Sequence, residues 1–561
     1  MTDTLAAPAE HRSPRRQRAT GRRGWSWWVL LVAAVVAAPI VAVVVDGLRS
    51  TGAASLPTGL GSMVVTTLLL MAGVAAGTLV VGGGLAWLVT VGRFPGRDLF
   101  TWLLVLPLAM PAYILGFVFL STFDEAGTVP RALRDLAGGQ FWFPPVRNLP
   151  GAVLVMTMTL FPYVYLMARA AFMEQSPSTY DAARSLGASR ARALRAVVLP
   201  LARPSLVAGL ALVMMEVLTD FATVQYFGVE TVSVGVYKQW KGSYNFDSAS
   251  QLSVLVLLFA VGVLAAERLL RGRARYVHKG GRGRGLEPVP LTGARGWAAA
   301  LVCLFALAVA FLLPVLRLAL WAWGEARRNP DELIDPRFPD YLANSLTVAL
   351  VAAVACVAVS MLVAHALRMS GSPLARAAAQ VTTFGYAVPG AVVGIGVLLA
   401  FAYLDDLVRW LGVEGGTGLL VTGSVAGILY AYLIRFLAPA YVAVDASMTK
   451  VSPTMTWSAL SLGSGPLRTL HRVHLPLARS GVFVAFVLVL VDAIKELPLV
   501  LLLRPFGFST VSVWVYELAK ENFWEKAALP ALVIVMAAVV PVFLLFRQAR
   551  LVDPHRAHER R

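Results

Sequence analysis

Twelve separate stretches of this chain are apolar for about 20 residues or more, each long enough for a helix to cross the hydrocarbon core of a bilayer. They cover residues 25–45, 61–91, 99–121, 149–172, 204–227, 249–270, 297–323, 341–367, 377–404, 417–444, 481–503 and 528–546. Inside a bilayer no water is present to bond backbone N–H and C=O groups, so runs of this length are read as helices. The fold class is therefore an all-α polytopic membrane protein. Composition agrees: 58% of the residues are hydrophobic and 14% are charged, whereas soluble chains carry about 25% charge. The run at 25–45 follows an arginine-rich tail but is longer than a signal-peptide core and lacks a small-residue cleavage site, so it is read as an uncleaved span.

The formal charge of +18 invites a nucleic-acid reading, which the placement of the charges excludes. With the amino terminus in the cytoplasm, 31 lysines and arginines fall in cytoplasmic segments, 13 in external loops and five inside spans. That excess is the positive-inside pattern of a membrane protein. An even number of spans then leaves both termini cytoplasmic. Cys303 and Cys356 both lie inside apolar runs and suit neither a disulfide framework nor a metal site.

The chain is also a tandem repeat. Leu199-Pro200-Leu201-Ala202-Arg203 recurs further along as Leu475-Pro476-Leu477-Ala478-Arg479, and Ser185-Leu186-Gly187 recurs as Ser461-Leu462-Gly463 at the same spacing. Pro95 and Pro111 pair with Pro373 and Pro389 at nearly that spacing. Each repeat holds six spans, so both copies enter the membrane in the same direction, related by an axis along its normal. The expected layout is a basic cytoplasmic tail at 1–24, a first half at 25–270, a flexible Gly/Arg-rich linker at 271–296, a second half at 297–547 and a cytoplasmic tail at 548–561.

Between spans four and five of each half lies a cytoplasmic loop with a glycine at its centre. Gly187 suits the left-handed stop of one short helix, and Ser189 the cap of the next. Asp181-Ala182-Ala183, Gly187 and Leu199-Pro200 resemble the Glu-Ala-Ala loop of the membrane permeases of ABC-type importers. The second copy supplies Ala459, Gly463, Leu475 and Pro476, and departs from the pattern at Trp457-Ser458. The resemblance implies the type I ABC importer permease fold, with each loop gripped by one of two copies of a separate ATPase. It also implies an extracytoplasmic solute-binding protein as the other partner. The chain has no Gly-Lys pair and hence no phosphate-binding loop of the Walker type, so ATP and Mg are expected on the partner ATPase. No cofactor, resident metal or catalytic residue is expected in this chain, and the protein is not expected to be an enzyme.

Charged residues inside spans are costly and mark pathways or partners. Span five carries Glu216 and Asp220, and span eleven carries Asp492 and Glu496, again at the spacing of the repeated loops. At spacing i, i+4 each pair is expected to share one helix face. Glu216 stands about 18 Å along the helix from Pro204, near mid-bilayer. Lys495 is placed to neutralise Asp492 or Glu496, an alternative to an acidic lining left free for a cation. His365, His471 and His474 form no constellation, and the last two are expected to face headgroups or a partner.

The sequence around these acids, including Met215–Gly228 and Val515–Leu518, resembles the fused permeases of iron(III) importers over nearly the whole chain from about Gly61. Iron(III), a hard cation that prefers oxygen ligands, is the cargo this resemblance implies, with thiamine or another organic cation as the alternative. A proton-coupled secondary carrier using the same acids is the competing class.

Overall fold

The computed structural model describes residues 20–50, 57–139, 141–173, 185–271, 289–330, 334–413, 416–417 and 423–552. In the first half, spans one and two are Thr20–Arg49 and Leu60–Val91. Span three is a pair, Arg97–Ala109 and Ala112–Leu136, bent by 91°. Spans four to six are Leu149–Met173, Arg195–Thr219 and Phe246–Arg271. The second half contributes spans seven to twelve: Ala294–Arg328, Phe338–Ser370, Gly390–Trp410, Val425–Met448, Pro466–Lys495 and Trp524–Val552. Among the described residues eleven helices could each cross a membrane, and the bent pair makes twelve.

Four predicted spans are interrupted rather than continuous. Spans three and nine break at Pro111 and Pro389, which cap Ala112–Phe123 and Gly390–Trp410 with extended backbone. Proline has no N–H to give the preceding turn and pushes the residue before it out of the helical region. Spans five and eleven end at Thr219 and Lys495, and short helices, Ala222–Tyr226 and Pro498–Leu503, follow after a gap. The duplication extends to buried hydrogen bonds. The Val232 N–H donates to Thr67 Oγ1 at 3.0 Å, and the Val511 N–H to Ser345 Oγ at 2.9 Å.

The two halves do not pack as separate six-helix units. Span one crosses to the second half and lies against Phe338–Ser370, Pro373–Thr383 and Gly390–Trp410, touching span six on its own side. Gly396 permits the crossing, because a Cβ there would sit 2.5 Å from the Pro39 carbonyl oxygen. Tyr430 also donates to the Val35 carbonyl at 2.6 Å. Span seven makes the reciprocal move, packing on Arg97–Leu103 and Ala112–Phe123 of the first half and on span twelve.

The linker at 271–296 is likewise not without structure throughout. Val289–Pro290 pairs in parallel with Gly92–Arg93, and span seven begins at Ala294, ahead of the expected 297. Both cysteines are buried and free.

Candidate functional site: a charged cavity and two projecting loops

The breaks in spans five and eleven create the site. Glu216 lies within its helix, but Asp220 leaves it with extended backbone (φ −79°, ψ 107°), and Glu496 does the same after Lys495 (φ −67°, ψ 123°). The expectation that each acidic pair occupies one continuous helix face is thus corrected. The second acid of each pair caps the short helix beyond the break. The Thr223 N–H donates to Asp220 Oδ1 at 2.8 Å, and the Leu499 N–H to Glu496 Oε1 at 3.4 Å. A carboxylate answers backbone donors left open at a helix start, and in span eleven Pro498 also prevents continuation.

Glu216, Asp220, Asp492 and Glu496 all line one cavity of about 120 Å³, together with Lys495, Arg435, Tyr113, Tyr163 and Tyr386. Its cations come from the second half alone. Lys495 Nζ lies 2.8 Å from Asp492 Oδ1, and Arg435 Nε lies 3.3 Å from Glu496 Oε2, the latter pair almost fully buried. At Arg435 Nε the distance suits an ion pair but the angle does not suit a hydrogen bond, and Nη1 has no hydrogen-bond partner. In the first half Thr159 and Thr219 occupy the repeat positions equivalent to Arg435 and Lys495, and both line the cavity. Among the described residues Glu216 and Asp220 have no Lys or Arg partner within 4.0 Å. Glu216 accepts a bond from the Tyr386 hydroxyl at 3.3 Å. Four carboxylates against two cations leave the lining acidic. Among the described residues no three His, Cys, Asp or Glu side chains are gathered closely enough to hold a metal ion, so the acids are spread around the cavity.

Sequence reasoning missed Arg435, Tyr386 and Tyr113 as lining residues. The signal for Arg435 was present, since it is an ionisable residue inside a span. The tyrosines carry no comparable mark. On one side of the cavity the halves are tied across the midline. Tyr226 donates to the Tyr516 carbonyl at 3.2 Å, the Tyr516 hydroxyl to Gln225 Oε1 at 2.5 Å, and Lys241 to the Leu501 carbonyl at 3.4 Å.

The repeated loops project away from the helices. Asp181, Ala182 and Ala183 lie outside the described residues. Gly187 turns the first loop at φ +85°, and Gly463 the second at φ +79°. In the second loop the Ser464 N–H donates to the Ala459 carbonyl at 3.0 Å and the Gly463 N–H to Leu460 at 3.1 Å. This pair of bonds closes a helix end through a left-handed residue. In the first loop Ser189 Oγ accepts from the Arg192 N–H at 3.3 Å. Just before each glycine a leucine is held out in the open, Leu186 at 89% exposed and Leu462 at 88%. Leu199-Pro200 and Leu475-Pro476 begin the helical segments that become spans five and eleven.

The second loop is also tied inward. His474 is completely buried, not at the headgroups as expected. Its Nδ1 lies 2.8 Å from Nδ1 of buried His365 in span eight, and its Nε2 lies 3.0 Å from Thr456 Oγ1 in the loop helix. Trp25 of span one meets the His365 ring edge-on at 4.8 Å. His471 is exposed.

A multi-pass helical bundle with a buried acidic cavity and two repeated loops at the origins of its broken spans is the class of protein these features define. Residues 79–275 match the family described as the binding-protein-dependent transport system inner membrane component. A Fe(3+)-transport system permease protein of Haemophilus influenzae is 24% identical over 87% of this chain and 90% of its own length. A probable molybdenum ABC transporter permease protein of Haloferax volcanii is 31% identical over 45% of this chain and 95% of its own. A sulfate transport system permease protein of Salmonella typhimurium is 29% identical over 34% of this chain and 68% of its own. The chain belongs to this family of ABC permeases and is a multi-pass inner-membrane transport subunit, which works with an ATPase and a binding protein.

Proposed function

We propose that this chain forms the translocation pathway of an ATP-driven, binding-protein-dependent importer of iron(III). The observation that carries the cargo is the convergence of four carboxylates on one cavity with two cations to balance them. A hard trivalent cation takes oxygen ligands, which these acids and the neighbouring phenols offer. An oxyanion would meet repulsion there. The ferric permeases among the relatives align over most of both chains. In this reading Glu216, Asp220, Asp492, Lys495 and Glu496 line the path, and Glu216 and Asp220 are the acids left free for cargo.

Two copies of an ATPase grip the two loops through Asp181, Ala182, Ala183, Gly187, Leu199 and Pro200, and through Ala459, Gly463, Leu475 and Pro476. The exposed Leu186 and Leu462 give each loop an apolar tip for such a cleft. The basic bias supports a cytoplasmic position for these loops and both termini. A solute-binding protein then delivers cargo over the external loops 123–148, 229–248 and 504–526, above the Tyr226–Tyr516 closure. ATP and Mg belong to the partner, and no covalent chemistry falls to this chain.

The test is uptake of radiolabelled iron(III) and of molybdate in a strain lacking the natural system. Glu216→Gln is expected to lower iron uptake about tenfold to a hundredfold, the scale of one lost contact to a charged group, with the ATPase still co-purifying. Unchanged iron uptake in that variant, or transport of molybdate but not iron by the wild type, overturns the assignment.

A further inference from the structure

Spans two and eight are equivalent helices, yet only span two carries an open notch. Leu79–Gly83 is a π-helical turn, and Gly82, Gly83 and Gly84 stand in sequence where span eight has Ser360, Met361 and Leu362 at the equivalent repeat positions. Gly82 has a packing reason, since a Cβ there would lie 2.6 Å from the Phe161 carbonyl oxygen. Gly83 and Gly84 have none. Nothing lies within 4 Å of a Cβ built at either position, and their φ angles of −65° and −63° are helical. Glycine in a helix costs about 1 kcal/mol relative to alanine, and no group among the described residues uses the space it leaves.

That space is the floor of a groove of about 740 Å³ between spans two and five, walled by Leu79, Trp87, Phe172, Leu206 and Leu210. At one mouth stand Arg195 and Arg203, beside Leu199 and Pro200 of the first loop. Both arginines are exposed, and among the described residues neither has an acidic partner. An apolar slot ending in two free guanidinium groups matches one occupant, a phospholipid with its chain in the slot and its phosphate at the mouth. Basic pockets between spans on the cytoplasmic side recognise anionic headgroups in this way, and guanidinium groups bind phosphate oxygens in bidentate fashion.

We propose that this groove is a binding site for an anionic phospholipid of the cytoplasmic leaflet, seated against the first ATPase-coupling loop. The leaflet rests on the orientation proposed above; the binding itself does not. The second half keeps Arg479 in place of Arg203 but has His471 for Arg195 and fills the notch with Met361 and Leu362, so the site belongs to the first half.

The complex of this chain with its ATPase, in nanodiscs of equal parts phosphatidylglycerol and phosphatidylcholine, is examined by native mass spectrometry for retained lipid. The wild type is expected to keep phosphatidylglycerol in about thirtyfold preference, the order expected of two arginines at a membrane surface. Gly83→Met with Gly84→Leu fills the groove at helical positions with open space around them and should bring retention to the bulk ratio. Arg195→Gln with Arg203→Gln should do the same without touching the walls. Gly262→Leu, at another lipid-facing glycine with open space, should leave the preference intact. A bulk ratio in the wild type, a preference surviving both double variants, or displacement of the lipid by inorganic phosphate overturns the proposal. Because the readout is lipid retention, its failure is separable from a failure of the iron reading.

Discussion

The two halves share a chain path but not a chemistry. The second half neutralises its own acids, with Lys495 on Asp492 and Arg435 on Glu496, and ties its loop inward through His474 and His365. The first half has Thr159 where the second has Arg435, Val198 where it has His474, and Trp87 where it has His365. Among the described residues its two cavity acids, Glu216 and Asp220, lack a Lys or Arg partner, and its loop borders an apolar groove. Duplication conserved the breaks, the caps and the loop glycines. Divergence assigned the balanced charges to one half and the unbalanced ones to the other.

The largest effect is expected where the second half cannot spare its cation. Arg435→Met strands Glu496 without a counter-ion in the interior and should cost about 3–5 kcal/mol, seen as a drop in the thermal unfolding midpoint in detergent. Adding Glu496→Gln should restore much of that loss. Its first-half counterpart, Thr159→Val, gives up one bond to the Val155 carbonyl and should cost under about 1 kcal/mol. Equal losses at the two positions would break the comparison.

A smaller effect is expected at the histidine tie. His474→Val copies the first half and leaves His365 and Thr456 without their partner, a loss of about 1–3 kcal/mol. Transport per ATP hydrolysed should fall more than assembly with the ATPase. His365→Trp combined with His474→Val places the first-half residues at both positions and should recover stability but not the tie. Full coupling in His474→Val would reduce the pair to packing. The smallest and most even effect belongs to the loop glycines. Gly187→Ala and Gly463→Ala each force a side chain into left-handed backbone with free space around it, for about 1–2 kcal/mol apiece. Gly187→Arg should in addition separate ATP hydrolysis from uptake.

Much of this architecture was legible because membrane helices state their length and their basic flanks in the sequence. The repeat spacing located Glu216, Asp220, Asp492 and Glu496, and all four line the cavity. The breaks at Asp220 and Glu496 were not legible, because hydropathy runs through 204–227 and 481–503 without pause; only Pro498 hinted at one of them. The burial of His474 was hidden for the same reason. A histidine in a basic loop looks exposed until span eight supplies His365 from far along the chain. The crossing of span one could not be read at all, since an apolar run names no neighbour.

That crossing has a consequence for how the protein is made. Span one leaves the ribosome well ahead of its packing surfaces on Phe338–Ser370 and Gly390–Trp410, which are translated roughly 300 residues later, about 15–60 s at ordinary elongation rates. Through that interval a helix holding Pro39 must wait in lipid for its seat, with span six its earliest neighbour. A message truncated before the eighth span would therefore leave a segment without its second-half seat, a natural handle for the proteases that police membrane biogenesis.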